Sequence, residues 1–376
     1  MTTANSNAAN NNVSKIKSVS YESYQHAKEQ NQGKYARDLA VILEISEAEL
    51  TQLRVDHDAV RLDVDARTLL TVLENIGGTK SITRNEFAVH EQLGEYKNQH
   101  LNGHAGLVLN PRALDLRLFL SQWQSIFALT EASSKGPRHS LQFFDAQGNA
   151  VHKIYATEET NLPKWAALVE QYAAKSALPL VVQPAEAAAA VESNVEGLDA
   201  EWRGMTDVHQ FFQILRRRHL TRQQAFRTVD QDLAYQVDNG ALTQILNKAL
   251  QDQNEIMIFI SNKGCVQIFT GQIEKVMPHG EWINVFNSRF TLHVVATAIA
   301  ESWVTRKPTK DGFVTSLELF AADGSQIAQL FGQRTEGQPE QSVWRDQLST
   351  LDKLPALNQL SSPDNNVALG QQALSA

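Results

Sequence analysis

The chain has 376 residues, with 34 Lys plus Arg against 42 Asp plus Glu, a formal charge of −8 and an apolar fraction of 42%. That length holds two domains or one large one with a sizeable core, and the negative balance disfavours generic nucleic-acid binding. A single cysteine, Cys265, excludes an intrachain disulfide, thiolate zinc sites and cysteine-ligated iron–sulfur clusters, and fits a reducing compartment.

The first stretch, "MTTANSNAANNN", is polar and lacks the apolar core of a signal peptide. Residues 1–13 are therefore expected to be a disordered tail. No run of 18 apolar residues occurs, so no membrane span is expected, and a cytoplasmic location follows by elimination.

"RDLAVILEISEAELTQLR" (37–54) has the look of a helix-turn-helix, but Glu44 occupies the turn and only Arg54 follows to meet phosphates. "HEQLG" at His90 begins like a zinc-protease helix, yet Gly94 stands where the second ligand belongs. "HLNGH" spaces His100 and His104 by four, but the internal Asn-Gly favours a turn over a metal-binding helix. "NPRALDLRLFLSQW" (110–123) places Arg117 in an otherwise apolar stretch, where it needs a partner or an exposed face.

"SLQFFDAQGNAVHKIY" (140–155) reads as two strands around a turn. It aligns without gaps with "SLELFAADGSQIAQLF" (316–331), with five identities in sixteen positions. "AVHEQLG" (88–94) matches "CVQIFTG" (265–271) at nearly the same offset, and "ARDLAVILEISEAEL" (36–50) loosely matches "TRQQAFRTVDQDLAY" (221–235). The chain therefore reads as a tandem repeat of α+β units, helices first and then antiparallel strands. The first repeat spans 14–175 and the second 201–352. The Ala-rich stretch 176–200 joins them as a linker, and 353–376 is a loose tail.

In "GMTDVHQFFQILRRRHLTRQQ" (204–224), Thr206 or Asp207 is the expected N-cap, and Met205, Val208, Phe212 and Leu215 the apolar stripe. His209 lies in the first turn at the edge of that stripe. There the helix dipole disfavours imidazolium, and neutral imidazole is the metal-binding form. Two readings stay open: a metal ligand, or a partly buried histidine bonded to backbone. The cluster Arg216, Arg217, Arg218, His219, Arg222 and Arg227 offers guanidinium forks for an anion, although basic residues also suit a helix C-terminus. Arg222, beyond the turn "HLT", is the one least explained by the dipole. "WVTRKPTKDG" (303–312) and "FGQRTEG" (331–337) add Arg306, Lys307, Lys310 and Arg334, expected at element ends. Phosphate loops, nucleophile elbows and nicotinamide fingerprints are absent.

From "GKYARDLA" (33–40) to "WRDQLSTL" (344–351) the chain resembles the cytoplasmic haemin-degrading and haem-trafficking factors of Gram-negative haem-uptake systems (HemS-like). The landmarks are "ITRNEFAVHE", "NGHAGLVLNPRALDLRLF", "MTDVHQFF", "LTRQQAF", "GCVQIFTG", "AESWVTRKPT" and "TSLELFAADGSQIAQLFGQRTEG", all in order. The resemblance implies a repeated α+β fold with large antiparallel sheets and haem (iron protoporphyrin IX) in a cleft between the halves. It implies His209 as the proximal iron ligand and Arg117 on the opposite haem face, both in catalytic roles. Arg222, Lys307, Gln329, Phe331 and Arg334 match positions near the haem, several of them holding propionates. Phe331 stands where the family often has Tyr, so a phenol hydroxyl is missing.

Two activities follow from the resemblance. The protein opens the haem macrocycle and releases iron, with electrons from an external reductant or reductase. Alternatively, it is a non-catalytic carrier between the haem importer and a separate haem oxygenase. A DNA-binding role for residues 37–54 is the third and is opposed by the net charge.

Overall fold

Each half of the chain lays down the same elements in the same order, five helices and nine strands among the described residues. The computed structural model describes residues 19–103, 105–184, 192–335 and 337–355. In the first half the helices are α1 (Tyr21–Gln30), α2 (Ala36–Ile42), α3 (Glu47–Gln52), α4 (Ala66–Leu73) and α5 (Leu162–Tyr172). Its strands are β1 (Ala59–Leu62), β2 (Gly77–Arg84), β3 (Ala88–Gly94), β4 (Gln99–His100), β5 (Gly106–Leu109), β6 (Asp115–Leu118), β7 (Ser125–Ser133), β8 (Gly136–Phe144) and β9 (Ala150–Thr160). The second half repeats this with α6 (Leu198–Arg203), α7 (His209–Arg218), α8 (Arg222–Thr228), α9 (Ala241–Asp252) and α10 (Ser342–Ser349). Its strands are β10 (Ala234–Val237), β11 (Ile256–Ser261), β12 (Cys265–Gly271), β13 (Val276–His279), β14 (Trp282–Phe286), β15 (Phe290–Val295), β16 (Glu301–Thr309), β17 (Gly312–Phe320) and β18 (Gln326–Gly332).

Local chemistry explains these elements. Ser46 with Glu49, and Thr221 with Gln224, close reciprocal capping boxes that start α3 and α8. Gly148 and Gly324, at φ of 77° and 83°, let the β8–β9 and β17–β18 turns enter the left-handed region. β11 alternates buried Ile256, Ile258 and Ile260 with half-exposed Met257, Phe259 and Ser261, the period of a strand with one face in the core.

The strands form two nine-stranded antiparallel sheets. One runs β1-β7-β8-β9-β2-β3 and continues into β15-β14-β13. The other runs β10-β16-β17-β18-β11-β12 and continues into β6-β5-β4. Each half thus builds six strands of its own sheet and lends a three-strand arm to the other. β6 bonds to β12 while its buried side chains, Leu116 and Leu118, remain in the core with Leu69, Leu70 and Trp165 of the first half. The second core takes β14 and β15 side chains with α9, α10 and the inner faces of β11, β17 and β18. The arms therefore staple the halves through both hydrogen bonds and apolar burial.

The boundaries differ in detail from the sequence expectation. α6 begins at Leu198, inside the expected linker, because Leu198 and Trp202 bury against α7 and α8. The described start of the linker is partly anchored: Gln183 N–H donates to Ala146 O at 2.8 Å, and Leu180 packs beside Phe127 and Phe144. The expected tail starts out paired with β10: Asp238 N–H donates to Asp352 O, the last residue of the expected repeat, and Leu354 N–H of the tail to Gln236 O, both at 3.0 Å. The expected disordered tail 1–13 and residues 356–376 lie outside the described residues.

Candidate functional site

The second sheet exposes one face, and the register shows what stands on it. In antiparallel ladders directly paired residues share a face. Trp303, Glu318, Gln329, Phe259, Ile268 and Asp115 form one cross-strand row. Ser316, Phe331 and Met257 form a parallel row, and Ser261, Val266, Arg117 and Leu107 a third. Lys307 lies on the same face of β16, two residues from Thr305.

Helices α6, α7 and α8 cover only one end of this face. Trp202, Phe211, Phe226 and Leu215 pack there with Trp303 and Phe320. Beyond them Met257, Phe259, Val266, Phe331 and Leu107 stay half-exposed, an apolar platform bordered by cations. Phe259 and Phe331 meet edge to face, with centroids 5.0 Å apart. A flat apolar ligand carrying carboxylates fits such a surface.

His209 is the first residue of α7, and its side chain is 89% exposed. Val208, just before the helix, already has helical φ and ψ and makes no side-chain cap bond; the capping bond comes from Asp207, whose Oδ1 accepts from His209 N–H at 2.7 Å. That same oxygen lies 2.7 Å from His209 Nδ1. A proton on Nδ1 directed at Asp207 leaves Nε2 as the outward lone pair. The His209 N–H bond, with help from the His209 ring and Arg334, holds the Asp207 carboxyl below its ordinary range against the opposing effect of burial. The partly buried, backbone-bonded histidine is therefore not what forms. The stripe is corrected as well: Phe211, Ile214 and Leu215 are buried, and Phe212 is 66% exposed beside His209. Lys310 N–H donates to Thr206 O at 3.1 Å, which pins the turn before α7 to the β16–β17 hairpin.

Arg117 has the partner its apolar setting demands. Its guanidinium bonds Asp115, two residues away on the same face, and is 31% exposed. Burial raises the Asp115 carboxyl above its ordinary value despite Arg117. Arg117 reaches this face because β6 belongs to the second sheet.

Arg222, Lys307 and Gln329 converge on a residue that sequence reasoning missed, Glu318. Its carboxylate, wholly buried, accepts from Lys307 Nζ at 2.7 Å, Gln329 Nε2 at 3.0 Å and an Arg222 nitrogen at 3.1 Å. Burial opposes its ionisation, but Arg222 and Lys307 outweigh burial and hold the carboxyl at about 2. Desolvation lowers the Lys307 ammonium, and Glu318 offsets part of that. Lys307 is thus not at an element end as expected; it is buried inside β16, because a carboxylate waits for it across the ladder. Arg334 does follow β18, as expected, near enough to Asp207 to be felt by it. The alternation in "SLELF", with Leu317 and Leu319 buried on the opposite face, was the available signal for Glu318.

Three other arginines of the cluster have ordinary partners. Arg217 and Arg218 bond Glu201, and Arg227 bonds Glu301. Arg54 is buried against Asp58 and Glu131 and is not available to phosphates. His90 lies inside strand β3, and His100 ends β4 before a turn; His104 lies outside the described residues. No helix among the described residues is long and apolar enough to cross a membrane.

The haemin-degrading HemS/ChuX domain matches residues 44–172 and 219–351, one copy in each half. The hemin transport protein HemS of Yersinia enterocolitica is 66% identical over 334 residues, covering 88% of this chain and 97% of that protein. The solved heme degrading enzyme ChuS of Escherichia coli O157:H7 superposes with a TM-score of 0.85 at 56% identity, covering 88% of this chain and 98% of that one. The heme-binding protein PhuS of Pseudomonas aeruginosa, in its holo form, gives a TM-score of 0.85 at 38% identity, covering 89% and 98%. With its doubled domain and exchanged sheets, the chain belongs to the haemin-degrading HemS/ChuX family.

Proposed function

We propose that the protein binds haem on the open face of the second sheet, with His209 as iron ligand, and opens the macrocycle to release iron in the cytoplasm. The observation that carries this is the apolar platform of Met257, Phe259, Val266, Phe331 and Leu107, bordered by one exposed histidine and several cations. When bound, haem itself supplies the redox-active iron and the conjugated ring.

The chain's own residues supply the rest. His209 offers Nε2 while Asp207 holds Nδ1. Arg117, kept in place by Asp115, presents a fixed positive charge where negative charge develops on the opposite haem face. Arg222 and Arg334 meet the haem carboxylates, with Lys307 and Gln329 behind them. Phe331 adds apolar contact without a hydroxyl. Electrons come from an external reductant or reductase, and the haem importer supplies the substrate. The second functional repeat takes in α6 from Leu198 and the residues up to Leu354 that bond to β10, so only the linker before Leu198 joins the two repeats.

The second reading, a carrier that passes haem to a separate oxygenase, draws on the exposure of His209, which leaves the ligand open to exchange. Turnover decides between them. The haem complex, given a reductant, is expected to yield a ring-opened product and free iron. Slow bleaching that catalase abolishes would instead leave the carrier.

A further inference from the structure

The carboxylate subsite contains a carboxylate of its own. Glu318 has six donors within reach: Lys307, Thr305 and Ser316 on one oxygen, and Arg222, Gln326 and Gln329 on the other. An ammonium has three N–H bonds and no acceptor. Those of Lys307 are already directed at Glu318 at 2.7 Å, Thr305 Oγ1 at 2.6 Å and Ser316 Oγ at 3.4 Å. The side chain of Lys307 is 5% exposed. It has neither a spare donor nor a surface to offer.

Arg222 is differently placed. Only one of its terminal nitrogens touches Glu318, its other N–H groups have no acceptor among the described residues, and its side chain is 29% exposed above the Phe211 ring. The repeat offers an internal comparison. By register, Gln142 stands at the Glu318 position of the first half and Glu131 at the Lys307 position. There Glu131 pairs with Arg54 and Arg138 instead. The first half has a Lys–Glu pair of its own, Lys153 with Glu47, but Lys153 stands at the Gln329 position, so the pairing of Lys307 with Glu318 across the ladder is not repeated there.

We propose that Glu318 is a resident anion of the haem carboxylate subsite, that Lys307 serves this subsite by neutralising Glu318, and that Arg222 is the donor shared between Glu318 and the ligand. The proposal rests on haem binding as read above. With Lys307 removed, the unneutralised carboxylate draws Arg222 inward and repels the incoming propionate. With both removed, Arg222 keeps the single positive charge that the three residues carry together.

A double-mutant cycle on the full chain tests this, read as equilibrium affinity for ferric haem and for haem dimethyl ester. Lys307→Met is expected to weaken free-acid binding by about tenfold or more, and Lys307→Met/Glu318→Gln to return it to within about threefold of the parent. The ester is expected to be nearly indifferent to both. A double variant as weak as Lys307→Met would show a direct Lys307 clamp and overturn the proposal.

If Lys307→Met does not fold, the parent protein decides by NMR with diamagnetic gallium protoporphyrin IX. The Arg222 side-chain nitrogen resonances are expected to move on binding while the Lys307 ammonium resonance holds its position. The reverse pattern overturns the proposal. A parent that binds neither porphyrin sinks the haem reading together with this one. A parent that binds haem beside an unrescued double variant sinks the Glu318 role alone.

Discussion

Arg117 of the first half pairs with Val266 of the second across the β6–β12 ladder. One side of the proposed site is thus built from both halves through main-chain hydrogen bonds. A protease cutting within 176–200 should therefore leave the two pieces associated as one particle on gel filtration, with haem affinity intact. A fragment of residues 195–360 lacks β4, β5 and β6. It should bind haem far more weakly, with an exposed spectrum, and β12 becomes a raw edge prone to aggregation. Separation of the nicked halves without denaturant would contradict the exchanged topology.

His209→Ala should move the haem absorption bands and weaken affinity. Asp207→Asn should leave ligation in place and cost about tenfold at most, because outer partners of a ligand act through orientation and this one is exposed. His219, an exposed C-cap residue, is the expected source of residual ligation. Absorption titrations of both variants decide this; an unchanged spectrum for His209→Ala removes it from the site.

Arg117→Ala should both destabilise the fold and alter the chemistry, and a second substitution separates the two. Breaking one side of a buried pair costs about 3–5 kcal/mol at full burial, and less here because Arg117 is partly exposed. In Arg117→Met/Asp115→Asn no buried charge is left unpaired, so urea midpoints should recover while turnover of bound haem stays impaired. Recovered turnover would end the role given to Arg117.

Acid should erode stability in two stages. Burial holds His90 and His152 neutral, with values pushed down to about 3 from an ordinary 6.5. The unfolded chain takes up these protons first. Their contribution is complete above pH 6.5 and is lost as pH falls toward 3, at about 1.4 kcal/mol per pH unit for each group. Glu318, held at about 2, adds a second loss between its ordinary value of 4.5 and 2. Urea unfolding across pH should show the first slope flattened in His152→Gln. A pH-independent midpoint from 7 to 5 would contradict it.

Cys265 should be inert in the native protein. It is wholly buried, Thr83 Oγ1 lies 3.3 Å from its sulfur, and burial pushes the thiol up to about 12. The thiolate is the reactive form, so labelling by a disulfide reagent should wait for unfolding. Rapid labelling at neutral pH without denaturant would place the thiol elsewhere.

The repeat was readable because "SLQFFDAQGNAVHKIY" and "SLELFAADGSQIAQLF" keep the strand–turn–strand pattern that local physics demands. The exchange of arms was not readable. Nothing in "DLRLF" distinguishes a β6 that pairs with β12 from one that stays with its own half, because pairing partners are chosen by distant burial. Phe211 and Phe212 show a finer limit: two adjacent aromatics give the same composition, and only the rotation of α7 on Trp202 and Phe226 decides which is buried. Arg117, Arg222 and His209 stood out as charged or titratable residues in unusual settings. Glu318 did not, because a glutamate in a strand ordinarily faces water, and its cations arrive from β16 and α8.

The lent arms also bear on how the chain is made. Asp115 leaves the ribosome well before Ile268, its ladder partner. The gap is roughly 150 residues, on the order of ten seconds of synthesis. Through that interval β4, β5 and β6 have no edge to join, and the first sheet still awaits β15, β14 and β13. Neither sheet can close before most of the polypeptide exists. A nascent chain of this kind carries open strand edges for much of its birth, so its yield in a cell should respond to translation speed and to holdase chaperones more than its final stability would suggest.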